Sequence, residues 1–237
     1  MTAPSRSLPK LTPRLAAVAG LVRQDARLLD VGTDHAYLPA FLVGSGRCTA
    51  AVASDLRPGP CDRARETVSA CGLADRIRVV QTDGLNGHDL SQFDDIVLAG
   101  MGGELILRIL AAVPGLDRPG LRLLLQPQTD LPLVRRTMAE RGFALETERL
   151  AAEGHRLYHI LAYAPAAEPQ TPDEFALEIG RPEAEPALLA RYHERLRQTL
   201  EKQRLGLLEA KAPAEEDAAR LLHLTRTLAL LDALSHP

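Results

Sequence analysis

Residues 29–39 read LDVGTDHAYLP and bring together two acids, a histidine and a glycine. An apolar run ends at Val31, and Gly32, Thr33, Asp34 and His35 follow before apolar residues resume. A loop between a buried strand and a helix is where open α/β sheets hold their ligands. A dinucleotide loop would read G-x-G-x-x-G and seat a pyrophosphate on the helix N-terminus. Only Gly32 of that pattern is present, and Asp34 would set a negative charge where the pyrophosphate must approach. Coulomb repulsion therefore disfavours a dinucleotide. A ligand with a cationic group and no phosphate suits the loop better.

Two later segments repeat the theme. The stretch TAAVASD ends on Asp55, and IRVVQTD ends on Asp83. Asp55 follows at about the interval at which an acid bonds ribose hydroxyls in such sheets. One carboxylate per strand end, with no phosphate-binding lysine, fits S-adenosylmethionine, which carries an ammonium, a carboxylate and a sulfonium. On this reading Asp30 faces the cationic methionyl end and Gly32 lets the backbone approach. Asp55, with Leu56, meets the ribose; Asp83, with Gly84, accepts from the adenine amino group; Gly100 completes the cofactor pocket. Each aspartate alone would also serve as a cap for the helix that follows.

The elements that must position these residues are legible as a pattern. Apolar spacing and a Thr12-Pro13 start predict a helix over 11–24. Strands are expected at 27–31, 49–55, 77–83, 94–100 and 121–127. Helices are expected at 36–43, 58–73, 103–112 and 131–142, and a two-stranded hairpin about Glu153-Gly154. Strands apolar on both faces that alternate with helices mark a doubly wound, mostly parallel α/β sheet, here of seven strands with an antiparallel edge. A Pro/Ala/Glu-rich linker begins at Pro165. This divides the chain into a ligand-binding domain, 1–164, and a helical hairpin domain, 165–237. The first long helix, 185–210, carries a stripe of Leu188, Leu189, Tyr192, Leu196, Leu200, Leu205 and Leu208; the second, 212–234, carries Leu221, Leu224, Leu228 and Leu231.

Composition sets the outer bounds. With 237 residues and 46% apolar content the chain can bury a full core. The net charge of −3 argues against indiscriminate binding to nucleic acid but leaves room for a basic face. Cys48, Cys61 and Cys71 have no metal-binding spacing and read as reduced core residues of a cytoplasmic protein. No apolar run reaches the roughly 18 residues of a membrane span, so no membrane association is expected. The scattered histidines give no metal site.

Several segments together resemble the bacterial tRNA (adenine-22-N1)-methyltransferase family. They are LDVGTDHAYLP, QTDGL, DDIVLAGMGGELI and LLLQPQ, in order, between about Leu8 and Tyr163. Gln128 departs from the Asn of the family's QPN, which alters a polar contact near the substrate mouth. The resemblance implies a Rossmann-like class I methyltransferase fold with a C-terminal coiled-coil-like domain, S-adenosylmethionine as cofactor and tRNA as substrate. A monomer or weak homodimer is expected. The alternatives are a methyltransferase for another substrate, or a non-catalytic RNA-binding protein that keeps the fold.

Adenine N1 has an in-plane lone pair at neutral pH, so methylation there calls for positioning rather than a strong base. Asp34 is the candidate for stabilising the charge that grows on the base, and His35 for a hydrogen bond to base or cofactor; His35 would equally suit a helix start. Tyr37 is a candidate stacking residue or a core residue. Met101, Gly102, Gly103, Gln126 and Pro127 complete the expected base site. Bare glycine backbone there suits a flat base, or simply a tight turn. Arg6, Lys10 and Arg14, and Arg191, Arg195, Arg197, Lys202 and Arg204 on the long helix, are candidate RNA contacts, although Glu194 and Glu201 interleave with the latter as on a solvated face. Reversing Arg195 and Arg197 to glutamate is expected to weaken tRNA binding and flatten its salt dependence, read by titration at two ionic strengths; unchanged binding would return the helix to a structural role.

Overall fold

The computed structural model describes residues 7–168, 170–209 and 215–234. Arg6 lies outside the described residues. In chain order the elements of the first unit are α1 (Pro13–Leu21), β1 (Ala26–Val31), α2 (Tyr37–Gly44), β2 (Cys48–Asp55), α3 (Pro58–Ala70), β3 (Ile77–Gln81), β4 (Asp95–Met101), α4 (Gly103–Ala111), β5 (Arg122–Pro127), α5 (Leu131–Glu140), β6 (Phe143–Glu153) and β7 (Arg156–Pro165). A single turn of 3-10 helix at Leu90–Gln92, absent from the sequence reading, precedes β4; the Asp89 carboxylate caps it by accepting from the Ser91 N–H.

The seven strands form one sheet in the order β3-β2-β1-β4-β5-β7-β6. Strands β1 to β5 are parallel, and β7 runs antiparallel to both β5 and β6. Parallel strands need cover on both faces, which explains their continuous apolar runs. Leu28 and Val97 belong to one core with Val18, Leu38, Leu42 and Val68 from α1, α2 and α3. Leu29, Val31 and Leu98 belong to the other, with Ile106, Leu110, Val134 and Met138 from α4 and α5. Successive residues of one strand thus feed opposite cores, as the pleat requires.

The chain winds outward through β1, β2 and β3, then returns to β4 on the other side of β1. The reversal opens a crevice at the carboxyl ends of β1 and β4. Helix α1 starts where the sequence predicts: the Thr12 hydroxyl accepts from the Leu15 N–H at 3.4 Å, and Pro13 opens the first turn.

The chain divides between Thr171 and Pro172. Pro165 still pairs with Phe143 in the sheet, so the first unit runs past it. The second unit contains α6 (Glu174–Glu178), α7 (Pro186–Leu208) and α8 (Glu215–Ala233). The short α6 was read from sequence as linker; Asp173 caps it by accepting from the Ala176 N–H at 2.7 Å. Helices α7 and α8 pack on each other, with Arg197 paired to Asp232. Leu224, Leu228 and Leu231 are buried as predicted, but Leu205 and Leu208 are exposed, so the apolar stripe of α7 stops short of its end. Among the described residues no helix is long and apolar enough to cross a membrane.

One glycine is dictated by packing. A Cβ on Gly103 would stand 2.6 Å from the Thr129 carbonyl oxygen and 2.9 Å from a Val134 methyl. Gly103→Ala is therefore expected to destabilise the protein by about 1–3 kcal/mol, because backbone must move to admit the methyl. Denaturant midpoints of the two proteins measure this; an unchanged midpoint would show that the α4–α5 contact is loose.

Candidate active site

The loop between β1 and α2 is tied down from beneath. The N–H groups of Gly32 and Thr33 both donate to the Ser54 carbonyl of β2, at 2.8 and 2.9 Å. Gly32, Asp34 and Ala36 all have φ between +50° and +75°, at +72°, +52° and +54°. Glycine adopts this conformation freely, whereas the other two residues carry strain of about 1–3 kcal/mol each. What offsets it is specific: the Asp34 N–H reaches Asp55 Oδ2 at 3.3 Å, and the Ala36 N–H reaches the Thr33 carbonyl at 3.1 Å.

Asp30 and Asp55 lie at the floor of this loop and are both buried. The Thr33 hydroxyl donates to Asp30 Oδ2 at 2.5 Å. Burial nonetheless pushes the Asp30 pKa up to about 7; the Thr33 hydrogen bond opposes this, the Asp55 charge adds to it, and Arg14 opposes it. Asp55 Oδ1 accepts from the Arg57 N–H at 3.1 Å, so the second carboxylate is oriented by its own loop.

Two hollows open here. One of about 430 Å³ is lined by Gly32, Asp34, Asp55, Leu56, Arg57, Asp83, Gly84, Gly100, Met101, Leu105 and Ile109, among others. The other, of about 330 Å³, is lined by Arg14, Asp30, Gly32, Thr33, Asp34, His35, Tyr37, Gly100 and Gln128, among others. They share Gly32, Asp34, Ala99 and Gly100, and so form one groove across the switch point. The residues read from sequence as cofactor-binding all line it. At its rim His35 and Tyr37 stack, with ring centroids 5.1 Å apart and planes 18° from parallel, and the Asp34 carboxylate stands 3.6 Å from His35 Nε2.

Other expected contacts fall elsewhere. Gln126 is fully buried beneath the groove, where its Oε1 accepts from the Gly100 N–H at 3.1 Å and from Arg14 Nη1 at 3.0 Å. Pro127 is buried too, paired with Met101 across β4 and β5. Gln126 and Pro127 therefore support the site, and Gln128 is the glutamine that faces it. Gly102 and Gly103 point toward Thr129 rather than into the groove, so packing explains both. Gly100, at φ +80°, is the glycine whose conformation the turn requires. Met101 lies over Gly32, where a Cβ would meet its Cε at 2.2 Å.

Arg14, read as an RNA contact, instead turns inward: it binds Gln126, and its guanidinium carbon sits 5.7 Å from the centre of the Tyr158 ring. Lys10 is exposed. Arg195 and Arg197 belong to α7 of the second unit, and Arg197 is already held by Asp232. Sequence reasoning missed Arg57, Leu105 and Ile109, which are ordinary helix and loop residues until the fold brings them to the groove. Among the described residues no group of three or more His, Cys, Asp or Glu is placed to hold a metal ion.

Comparison with known proteins points the same way. Residues 11–161 match the model of a methyltransferase domain. The chain is 33% identical over 171 residues to the tRNA (adenine(22)-N(1))-methyltransferase of Bacillus subtilis, covering 72% of each protein. The crystal structure of the B. subtilis m1A22 tRNA methyltransferase superposes with a TM-score of 0.81 at 28% identity, over 94% of this chain and 98% of that one. A Streptococcus pneumoniae structure, described as a candidate tRNA (m1A22) methyltransferase in complex with S-adenosyl-L-methionine, superposes with a TM-score of 0.78 at 31% identity, over 92% of this chain and all (100%) of that one.

The raised Asp30 pKa has a consequence for stability. Between the ordinary value of 3.8 and about 7 the unfolded chain has lost the proton that the folded chain keeps. Stability from this group is complete below the lower value and is lost as pH rises through the upper one. Asp30→Asn, neutral throughout, is expected to gain in denaturant midpoint relative to the parent protein between pH 4.5 and 7.5. A difference that does not change with pH would contradict the assignment.

Proposed function

The chain belongs to the tRNA (adenine-22-N1)-methyltransferase family, and from that premise we propose that it methylates N1 of adenine 22 in tRNA with S-adenosylmethionine as donor. The observation that carries this reading is the groove itself, with a buried carboxylate and an inward arginine on one side and Asp55 and Asp83 on the other.

The residues fit that donor. Asp30 and Arg14 both line one hollow, and opposite charges so placed suit the ammonium and carboxylate of an amino-acid zwitterion. We assign the ammonium to Asp30 and the carboxylate to Arg14. Asp55 is oriented for a ribose diol and Asp83 for an adenine amino group, while Met101, Leu105 and Ile109 offer apolar cover to the purine. When bound, S-adenosylmethionine supplies an electrophilic methyl that adenine N1 takes with its lone pair, leaving a thioether and a cationic base.

The remaining work is done by side chains of the rim. Asp34 holds a negative charge where the base becomes cationic, and needs to accept no proton. The His35–Tyr37 stack presents an aromatic face beside it. N1 lies on the Watson–Crick edge, so the base must enter unpaired or extruded, and a stacking platform lowers that cost. Free, buried thiols at Cys48, Cys61 and Cys71 support a reducing compartment such as the cytoplasm.

Incubation with unmodified tRNA and S-adenosylmethionine, followed by mapping of reverse-transcription stops, is expected to place the methyl at adenine 22; transfer to small acceptors but not to tRNA would contradict the reading. Asp34→Ala is expected to lower kcat on the order of a hundredfold while S-adenosylmethionine affinity changes little. Equal loss of both, or of neither, would remove Asp34 from the chemistry.

A further inference from the structure

We propose that Arg63 of α3 is a positioning residue for methyl transfer, fixing the Asp34 carboxylate at the mouth of the groove. The proposal rests on the reading that Asp34 faces the target base. Arg63 Nη2 donates to Asp34 Oδ1 at 2.7 Å. Among the described residues His35 also stands beside this carboxylate, with Nε2 3.6 Å from Oδ2. Asp34 has little else to hold it: its side chain is 57% exposed, its φ is +52°, and its own N–H bond to Asp55 is long at 3.3 Å.

Arg63 stands on firmer ground. Its helix is anchored in the core by Cys61, Ala64 and Val68. The neighbouring acid Asp62 is taken by Arg65 at 2.7 Å and does not compete for Arg63. A rigid helix thus holds a carboxylate carried by a strained loop, at the oxygen other than the one that His35 approaches.

Two effects of Arg63 oppose each other. Its positive charge weakens the attraction between Asp34 and a cationic base, but the pair is open to water, which screens that effect. Misplacing a group at a reacting centre by about 1 Å costs on the order of a hundredfold in rate. Positioning wins, so loss of Arg63 slows the reaction. An exposed pair adds little to stability, so folding is preserved.

The test is steady-state kinetics on Arg63→Gln, Arg63→Lys, Asp34→Ala and the Arg63→Gln/Asp34→Ala double variant, with tRNA and S-adenosylmethionine. Arg63→Gln is expected to lower kcat about tenfold with KM for both substrates within twofold and Tm unchanged. Arg63→Lys is expected to recover most of the rate, and the double variant to be no slower than Asp34→Ala alone. Wild-type or faster turnover in Arg63→Gln, or a further tenfold loss on adding it to Asp34→Ala, overturns the proposal. Full kcat in Asp34→Ala overturns the assignment of Asp34 and the Arg63 role with it; a slow Asp34→Ala beside a normal Arg63→Gln overturns the Arg63 role alone.

Discussion

Two carboxylates buried at the ends of neighbouring parallel strands form the constraint around which this site is arranged. Burial strips water from Asp30 and pushes its pKa up to about 7, and the Asp55 charge adds to that shift. The loop geometry follows from the same pair. Thr33 satisfies one Asp30 oxygen, the Asp34 amide satisfies one of Asp55, and the backbone accepts left-handed turns at Asp34 and Ala36 to bring these donors into place.

A second support lies under the floor. The Gln126 side-chain oxygen accepts from both the Gly100 amide and the Arg14 guanidinium, so one buried amide joins α1, β4 and β5 at the switch point. Arg14 also donates its backbone N–H to Glu153 at 2.8 Å, tying the start of α1 to the hairpin edge. The helix that precedes the first strand is therefore part of the site. Its arginine lines the same hollow as Asp30, whereas Asp55 and Asp83 line the adjoining one.

The sheet was readable because parallel strands need apolar residues on both faces and helices need a 3–4 spacing; the seven strands and the major helices of the first unit follow from that. The acids of the groove were readable because strand ends in such a sheet are ligand positions. Gln126 and Pro127 were misread, since a polar residue after the run Leu123-Leu124-Leu125 looks like a strand end facing ligand, whereas pairing of Pro127 with Met101 keeps both inside. Gly102 and Gly103 left two readings open, a flat base or a tight turn: sequence shows that a side chain is missing, and the fold shows that Thr129 lies where it would stand. Arg14 looked like a surface charge near a basic N-terminus and needed tertiary contacts to be turned inward. Arg63 stood unmarked among Asp62, Arg65 and Glu66, because which of those charges pairs across to the loop is decided by helix rotation and not by composition.

The claim beneath all of this is electrostatic: the groove is built for an adenosine ligand with a cationic end and without phosphate. Isothermal titration calorimetry of the purified protein with S-adenosylmethionine, alone and in the presence of excess NADH, measures it most directly. Binding of one S-adenosylmethionine per chain with an affinity that NADH leaves unchanged is the predicted result. Displacement by NADH, or tighter binding of the pyrophosphate compound, would contradict it.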